Sequence, residues 1–353
     1  MLKSPALIIE ITRCSTMKKG SIKFWVAVMA ALSLSCSTFI LTKMSFASHR
    51  LWRDIGPFNA VQDSSSLCQP HVIPEHFRIE KKSNPFLCFS DVNGSTKDTT
   101  LANHQLPYGI QKLESMFATV LRILKGCDLP LEVKKNKCRK CVVVGNGAVL
   151  RNKTLGKIID SFEVVIRINS GPVRGYESDV GKRTTFRLCY PESIFKDSRD
   201  ADPNTTVVII PFKPHDLRWM TEVLQKKTVN VNGFWTKPAT KLIYKPDQLR
   251  VLNPFYLDKA AHNFLHLPEK LLPGKIPTHP TSGIIAITMA LNVCENVYIA
   301  GFKYNLSSNN YLHYYGKELM FEMRKNNYHN ITAEQIFLHQ LKYSQAIIDL
   351  TEE

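Results

Sequence analysis

Hydrophobic residues are distributed along this chain in three distinct textures. The first is an uncharged apolar block without periodicity, Phe24 to Leu41 (FWVAVMAALSLSCSTFIL). The second, residues 42–135, is polar and turn-rich, with Asn93-Gly94 as a turn signal and one amphipathic helix expected over 112–124. After Lys137 short β-branched runs alternate with helical stretches. Val142-Val143-Val144 predicts a strand, followed by helix to about Asp160, and Val164–Ile168 predicts a second strand. Val207–Ile210 and Val297–Ala300 read as further buried strands, with helices over Leu217–Leu224 and Ile284–Leu291. Such alternation predicts an α/β domain, a mostly parallel sheet covered on both faces.

The apolar block is just long enough to cross a hydrocarbon core of ~30 Å. Lys18, Lys19 and Lys23 precede it, with Arg13 further out, whereas Lys43 and Arg50 follow, so the positive-inside asymmetry is modest. A cleaved signal peptide is the competing reading. The block is longer than a usual signal core and no small-x-small cleavage site follows it, which favours an uncleaved signal anchor. The expected organisation is a cytosolic tail over 1–23, an N-terminal transmembrane helix over 24–41, a stem over 42–84 and a lumenal domain over 85–353. Met17 is an alternative start. Seven cysteines lie beyond the block, as do Asn-x-Ser/Thr triplets at Asn93, Asn152, Asn204, Asn305 and Asn330. Both features suit an oxidising, glycosylating compartment.

With 353 residues, 44% of them hydrophobic and 10% aromatic, the chain has enough apolar material for one large core. Its formal charge of +16 points to anionic partners. The basic residues are scattered (Lys137, Arg139 and Lys140; Lys182-Arg183; Lys226-Lys227) and no nucleic-acid-binding signature accompanies them. A nucleic-acid partner is therefore not expected, and a small anionic substrate is.

In open α/β sheets ligands bind beyond the carboxyl ends of the strands. Three turns qualify: Gly145-Asn146-Gly147, Asn169-Ser170-Gly171 and Gly301-Phe302-Lys303. Their glycines would let backbone amides approach a phosphate. Each is equally readable as an ordinary turn, and none matches a dinucleotide fingerprint or a phosphate-binding Gly-Lys-Ser/Thr loop.

The stretch Cys138–Pro191 resembles the large sialylmotif of animal sialyltransferases. The matching residues include Cys141, Gly145-Asn146-Gly147, Ile159-Asp160-Ser161, Arg167, Asn169, Pro172, Val180-Gly181 and Thr184-Thr185. Pro280-Thr281-Ser282-Gly283 through Cys294 to Gly301-Phe302 resembles the small motif, and His313-Tyr314-Tyr315 motif III. His329-Asn330-Ile331-Thr332-Ala333-Glu334 resembles the very small His-x4-Glu motif. Segments such as Phe212–Trp219 and Leu242–Pro246 resemble the type VI branch of the β-galactoside α-2,3-sialyltransferases. The likeness runs from about Pro85 to the C-terminus.

This resemblance implies a Rossmann-like variant of the GT-A glycosyltransferase fold, with CMP-N-acetylneuraminate as donor substrate. It implies galactose-terminated glycoproteins or glycolipids as acceptors, and a single-pass type II topology in the Golgi membrane. No cofactor or metal is expected, and no Asp-x-Asp metal triplet. It further implies a Cys141–Cys294 disulfide, Cys138 paired upstream with Cys88, Cys68 and Cys127 as a third pair, and Cys189 unpaired. His329 would be the base that takes the acceptor proton, since a histidine titrates close to working pH. His313 would face the departing phosphate, with Asn146, Asn169, Ser282, Gly283 and Tyr244 around the donor. Glu334 is expected to orient its segment rather than titrate in the reaction.

Overall fold

The computed structural model describes residues 69–79, 84–93, 99–124, 126–269, 274, 276–303 and 309–352. The expected anchor over 24–41, the tail and most of the stem lie outside the described residues, as does the Asn305 sequon. Among the described residues no helix is long and apolar enough to cross a membrane.

Seven strands form one sheet: β1 (Lys140–Val144), β2 (Val164–Ile168), β3 (Phe186–Cys189), β4 (Thr206–Ile209), β5 (Leu249–Val251), β6 (Asn296–Ala300) and β7 (Ile347–Asp349). Their order is β5-β4-β3-β2-β1-β6-β7, and all six pairings are parallel. Parallel strands need crossover connections that cover both faces, so the central strands must be apolar on both sides. β2 and β6 are buried at every position. This is why β2 was readable from Val164-Val165-Ile166 and β6 from Val297–Ala300, apolar runs flanked by Arg167 and Asn296. β3, β5 and β7 were not expected. Arg187 interrupts the first, Arg250 the second, and the third is only Ile347-Ile348-Asp349.

Four helices of eleven residues or more pack against the sheet: α1 (Glu114–Leu124), α2 (Pro214–Leu224), α3 (Ser282–Val293) and α4 (Ile331–Tyr343). Helix α3 is apolar on every side and buried along nearly its whole length, which marks a central element. It packs with Cys141, Val143 and Ile166 on one face of the sheet, where Phe264 stacks on Phe337 of α4. On the opposite face Val142, Val144 and Tyr298 meet Leu150, Ile159 and Phe162. Helices α1 and α2 share a further cluster with Val207, Ile209, Leu249 and Val251. The helix expected to run to Asp160 is broken into Ala148–Leu150 and Gly156–Asp160. Between them Asn152 and Thr154 adopt left-handed backbone (φ 60° and 53°), and both their N–H groups donate to the Asp179 carboxylate.

A disulfide joins Cys141 in β1 to Cys294 just beyond α3, across 153 residues. A second joins Cys88 to Cys127, which corrects the expected Cys88–Cys138 and Cys68–Cys127 pairs. Cys138 is itself disulfide-bonded, and Cys189 is the free, buried thiol among the described residues.

Candidate active site

The strand order reverses between β1 and β6, and it is there, beyond the carboxyl ends, that a sheet of this kind opens a crevice. A cavity of about 780 Å³ occupies that position, and Asn146, Asn169, Ser282, Gly283, His313 and His329 all line it. Five separate stretches of sequence thus meet in one place.

The turn after β1 is shaped by close packing. The N–H groups of Gly145 and Gly147 donate to the carbonyls of Ala300 and Gly301 at 2.8 and 3.0 Å. A Cβ on either glycine would lie 2.6 Å from the Gly301 carbonyl oxygen. These amides are committed to β6, so the expectation that they cradle a phosphate is corrected: the glycines let two strand ends touch. The residue between them, Asn146, keeps its side chain toward the cavity, with Oδ1 so near Gly171 that a Cβ there would come within 2.3 Å.

Asn169 follows β2 in left-handed backbone (φ 52°), and its Oδ1 accepts from Ser193 Oγ at 3.0 Å. That leaves its amide N–H₂ for a ligand. Arg187, wholly buried in β3, holds this turn from behind. Its Nη1 donates to the carbonyls of Asn169 and Gly171, and its Nε pairs with Asp202 at 2.6 Å. The neighbouring Arg167 is nearly as buried, which lowers its guanidinium pKa to about 10, and it donates to the carbonyls of Val180 and Arg183. Neither arginine stood out from the sequence as a turn-holder. Their signal was a charge inside a strand that the topology buries on both faces.

Helix α3 begins at the cavity. Thr281 caps it, accepting from the Ile284 N–H, and the first N–H groups of a helix have no intrahelical partner. Ser282 and Gly283 therefore offer donors, backed by the helix dipole, at a place suited to a phosphate. Glu334 of α4 locks this start in position: its Oε1 accepts from the Thr281 N–H at 2.7 Å and its Oε2 from Thr281 Oγ1 at 2.8 Å. Burial raises the Glu334 pKa to about 7 despite those bonds.

His329, just before α4, has Nδ1 2.7 Å from the carbonyl oxygen of His279. A carbonyl only accepts, so Nδ1 carries the proton and Nε2 is left as a lone-pair acceptor. Desolvation lowers the His329 pKa, which keeps the ring neutral. His279, unremarked in the sequence, also lines the cavity. Its Nδ1 lies 2.9 Å from the Tyr108 hydroxyl, whose pKa burial lifts to about 12. A hydroxyl that stays protonated can donate to Nδ1, which leaves Nε2–H of His279 as a donor. Desolvation and the His329 ring beside it both lower the His279 pKa.

His313 is paired through a backbone bridge with Gly147 and stacks on Tyr315 at 5.1 Å. Its pKa too is lowered by desolvation. Arg151 staples this segment, donating to the carbonyls of His313, Tyr314 and Gly316. Tyr314 then ties it to both turns, with its N–H on the Asn146 carbonyl and its hydroxyl on that of Pro172.

Tyr244 is not brought to this cavity. It is buried against the Arg187–Asp202 pair and lines a separate cavity with Asn204 and Thr205. Sequence reading could not see this because Tyr244 sits on the return to edge strand β5, whose placement only the topology fixes. Of the sequons, Asn93, Asn152 and Asn204 are exposed, and Asn330 caps α4 by accepting from the Ala333 N–H. An Asp-x-Asp triplet, not expected, is present at Asp200-Ala201-Asp202. Its carboxylates pair with Arg174 and Arg187, away from the cavity. Among the described residues no group of three or more His, Cys, Asp or Glu is placed to hold a metal.

A parallel sheet with a switch-point cavity, lined by a helix start with open N–H donors and by a histidine acceptor, is suited to group transfer from an anionic nucleotide donor. A family model for glycosyltransferase family 29, the sialyltransferases, matches residues 88–346, and the chain belongs to that family. The human type 2 lactosamine alpha-2,3-sialyltransferase is 51% identical over 271 residues, covering 76% of this chain and 82% of that protein. The mouse CMP-N-acetylneuraminate-beta-galactosamide-alpha-2,3-sialyltransferase 4 is 40% identical over 255 residues, covering 71% of this chain and 76% of that protein. The crystal structure of a mammalian sialyltransferase superposes with a TM-score of 0.63 at 21% identity, over 82% of this chain and 99% of that one, and shares the fold.

Proposed function

We infer that this chain transfers sialic acid from CMP-sialic acid to the 3-hydroxyl of a terminal β-galactose, with type 2 lactosamine as the acceptor core. The observation that carries the chemistry is the His329–His279 carbonyl bond, which presents an unprotonated Nε2 to the cavity. In the reaction Nε2 takes the proton of the 3-hydroxyl as that oxygen attacks the anomeric carbon of sialic acid. The bond from this carbon to the phosphate oxygen breaks, CMP leaves with the electron pair, and the anomeric configuration inverts. His313 and the N–H groups at the start of α3 face the phosphate that gains charge, and Asn146 and Asn169 hold the nucleotide. Such stabilisation by fixed donors, together with a good leaving group, suffices without a metal. The acceptor core rests on the 51% identity to the human relative.

We further propose that residues 24–41 anchor the chain in the Golgi membrane as a type II protein with residues 85–353 in the lumen. The acceptors there are galactose-terminated glycoproteins or glycolipids.

The test is transfer by the full chain, solubilised in detergent, from CMP-sialic acid to Galβ1-4GlcNAc with chelator present. Product cleaved by an α-2,3-specific sialidase, and lost in His329→Ala, is expected. A folded, CMP-binding protein that transfers to no galactoside would overturn the reading.

A further inference from the structure

Trp235 is 72% exposed at the mouth of the catalytic cavity, whereas Trp219, one helix away, is buried and donates its indole N–H to the Ala239 carbonyl. An indole left in water on a loose loop would need no explanation. This one is held. Arg218 donates to the carbonyls of Asn230 and Asn232, and Lys196 to that of Lys237, which grips the loop on both sides of Trp235. The preceding Phe234 is fixed beneath Lys213 and Arg218, with their charged groups 4.9 and 5.9 Å from its ring centre. Gly233 is pressed so tightly on His215 that a Cβ would come within 2.4 Å of the imidazole, and its φ of 89° suits glycine alone. The loop backbone on both sides of Trp235 and the neighbouring Phe234 ring are thus tied down while the indole stays outside.

The ring adjoins Tyr190, at 6.5 Å between centres and tilted by 41°, and Tyr190 lines the same cavity beyond β3. Its chain neighbours Asn232, Thr236 and Lys237 are polar and exposed, so the ring is not part of a broad apolar patch of the kind that docks proteins or membranes. A single rigid aromatic face next to polar groups is what the C–H face of a pyranose requires. In the proposed reaction the donor is consumed inside the cavity, and only the acceptor continues out of its mouth as a glycan.

We propose that Trp235 is the stacking platform for the N-acetylglucosamine that precedes the acceptor galactose. This rests on the sialyltransferase reading above. In the solubilised full chain, Trp235→Ala raises KM for Galβ1-4GlcNAc by about threefold to tenfold, the range an aromatic contact supports. It leaves KM for methyl β-galactoside and for CMP-sialic acid within twofold, and Trp235→Phe restores most of the disaccharide KM. Equal losses on both acceptors, or a raised donor KM, overturn the proposal. Saturation-transfer NMR of the disaccharide with CMP present separates this from a failure of the catalytic reading, because it needs no turnover. Saturation of the N-acetylglucosamine protons in the parent chain and its loss in Trp235→Ala is the expected result. No saturation of those protons in the parent chain overturns the platform whether or not transfer occurs.

Discussion

At the scale of single residues the site is governed by which groups are neutral and which way their protons point. A base must be unprotonated, and desolvation holds the His329 pKa below the ordinary histidine value. The acid limb of kcat/KM is therefore expected below pH ~6.5, with a plateau at neutral pH. His329→Gln is expected to lower kcat by roughly 10²–10⁴-fold and to remove that limb. A variant that keeps the wild-type pH profile would assign the base elsewhere. Glu334 runs the opposite way. Its folded pKa of about 7 lies above the ordinary glutamate value of 4.5, so the folded state binds this proton more tightly than the unfolded chain. Its favourable contribution is complete below pH 4.5 and is lost as pH rises through about 7, by on the order of 3 kcal/mol. Denaturant melts of Glu334→Gln are expected to show a flatter stability profile across this window. Glu334→Ala, which strands the Thr281 N–H, is expected to cost about 1–3 kcal/mol at acidic pH, where the wild-type contribution is complete, and to lose the same pH dependence as Glu334→Gln.

At the scale of elements, strands and helices were legible where one physical signal was unmixed. Val164-Val165-Ile166 of β2 and helix α3 were legible because the fold buries them on all sides, and Arg167 comes only after a run of three β-branched residues. Strand β3 was not, because Phe186-Arg187-Leu188-Cys189 carries a buried charge that only its partners Asp202, Asn169 and Gly171 make tolerable. Helix α4 escaped notice because charged Glu334 lies on its buried face and apolar Ile336 on its exposed one, which blurs the helical spacing of Ile331, Phe337, Leu338 and Leu341. The Cys141–Cys294 bridge acts at this scale, fastening β1 to the end of α3 and so the Asn146 turn to the helix start at Ser282. Replacing both cysteines with serine is expected to cost about 2–5 kcal/mol in thermal or denaturant unfolding. Because the same bridge joins the two elements proposed to bind the donor, KM for the donor is expected to rise in the variant even where it stays folded.

At the scale of the whole molecule, burial is continuous enough that Cys189, at the carboxyl end of β3, has its thiol pushed up to about 12. It is expected to resist alkylation in the native protein and to react at the rate of global unfolding, a direct measure of kinetic stability. Labelling as fast as that of an exposed thiol would contradict this burial. The sequence patterns alone determined the α/β class and four of the seven strands, because each depends on local periodicity, while the Cys141–Cys294 pair and six of the cavity residues came from the family resemblance. Only the tertiary structure decided that Tyr244 stands apart, that the Gly145 and Gly147 amides serve β6, that Asp200 and Asp202 face arginines, and that His279 belongs to the site. Those outcomes depend on which strand ends become neighbours, and a parallel sheet makes neighbours of residues such as Gly147 and Gly301 that lie far apart along the chain.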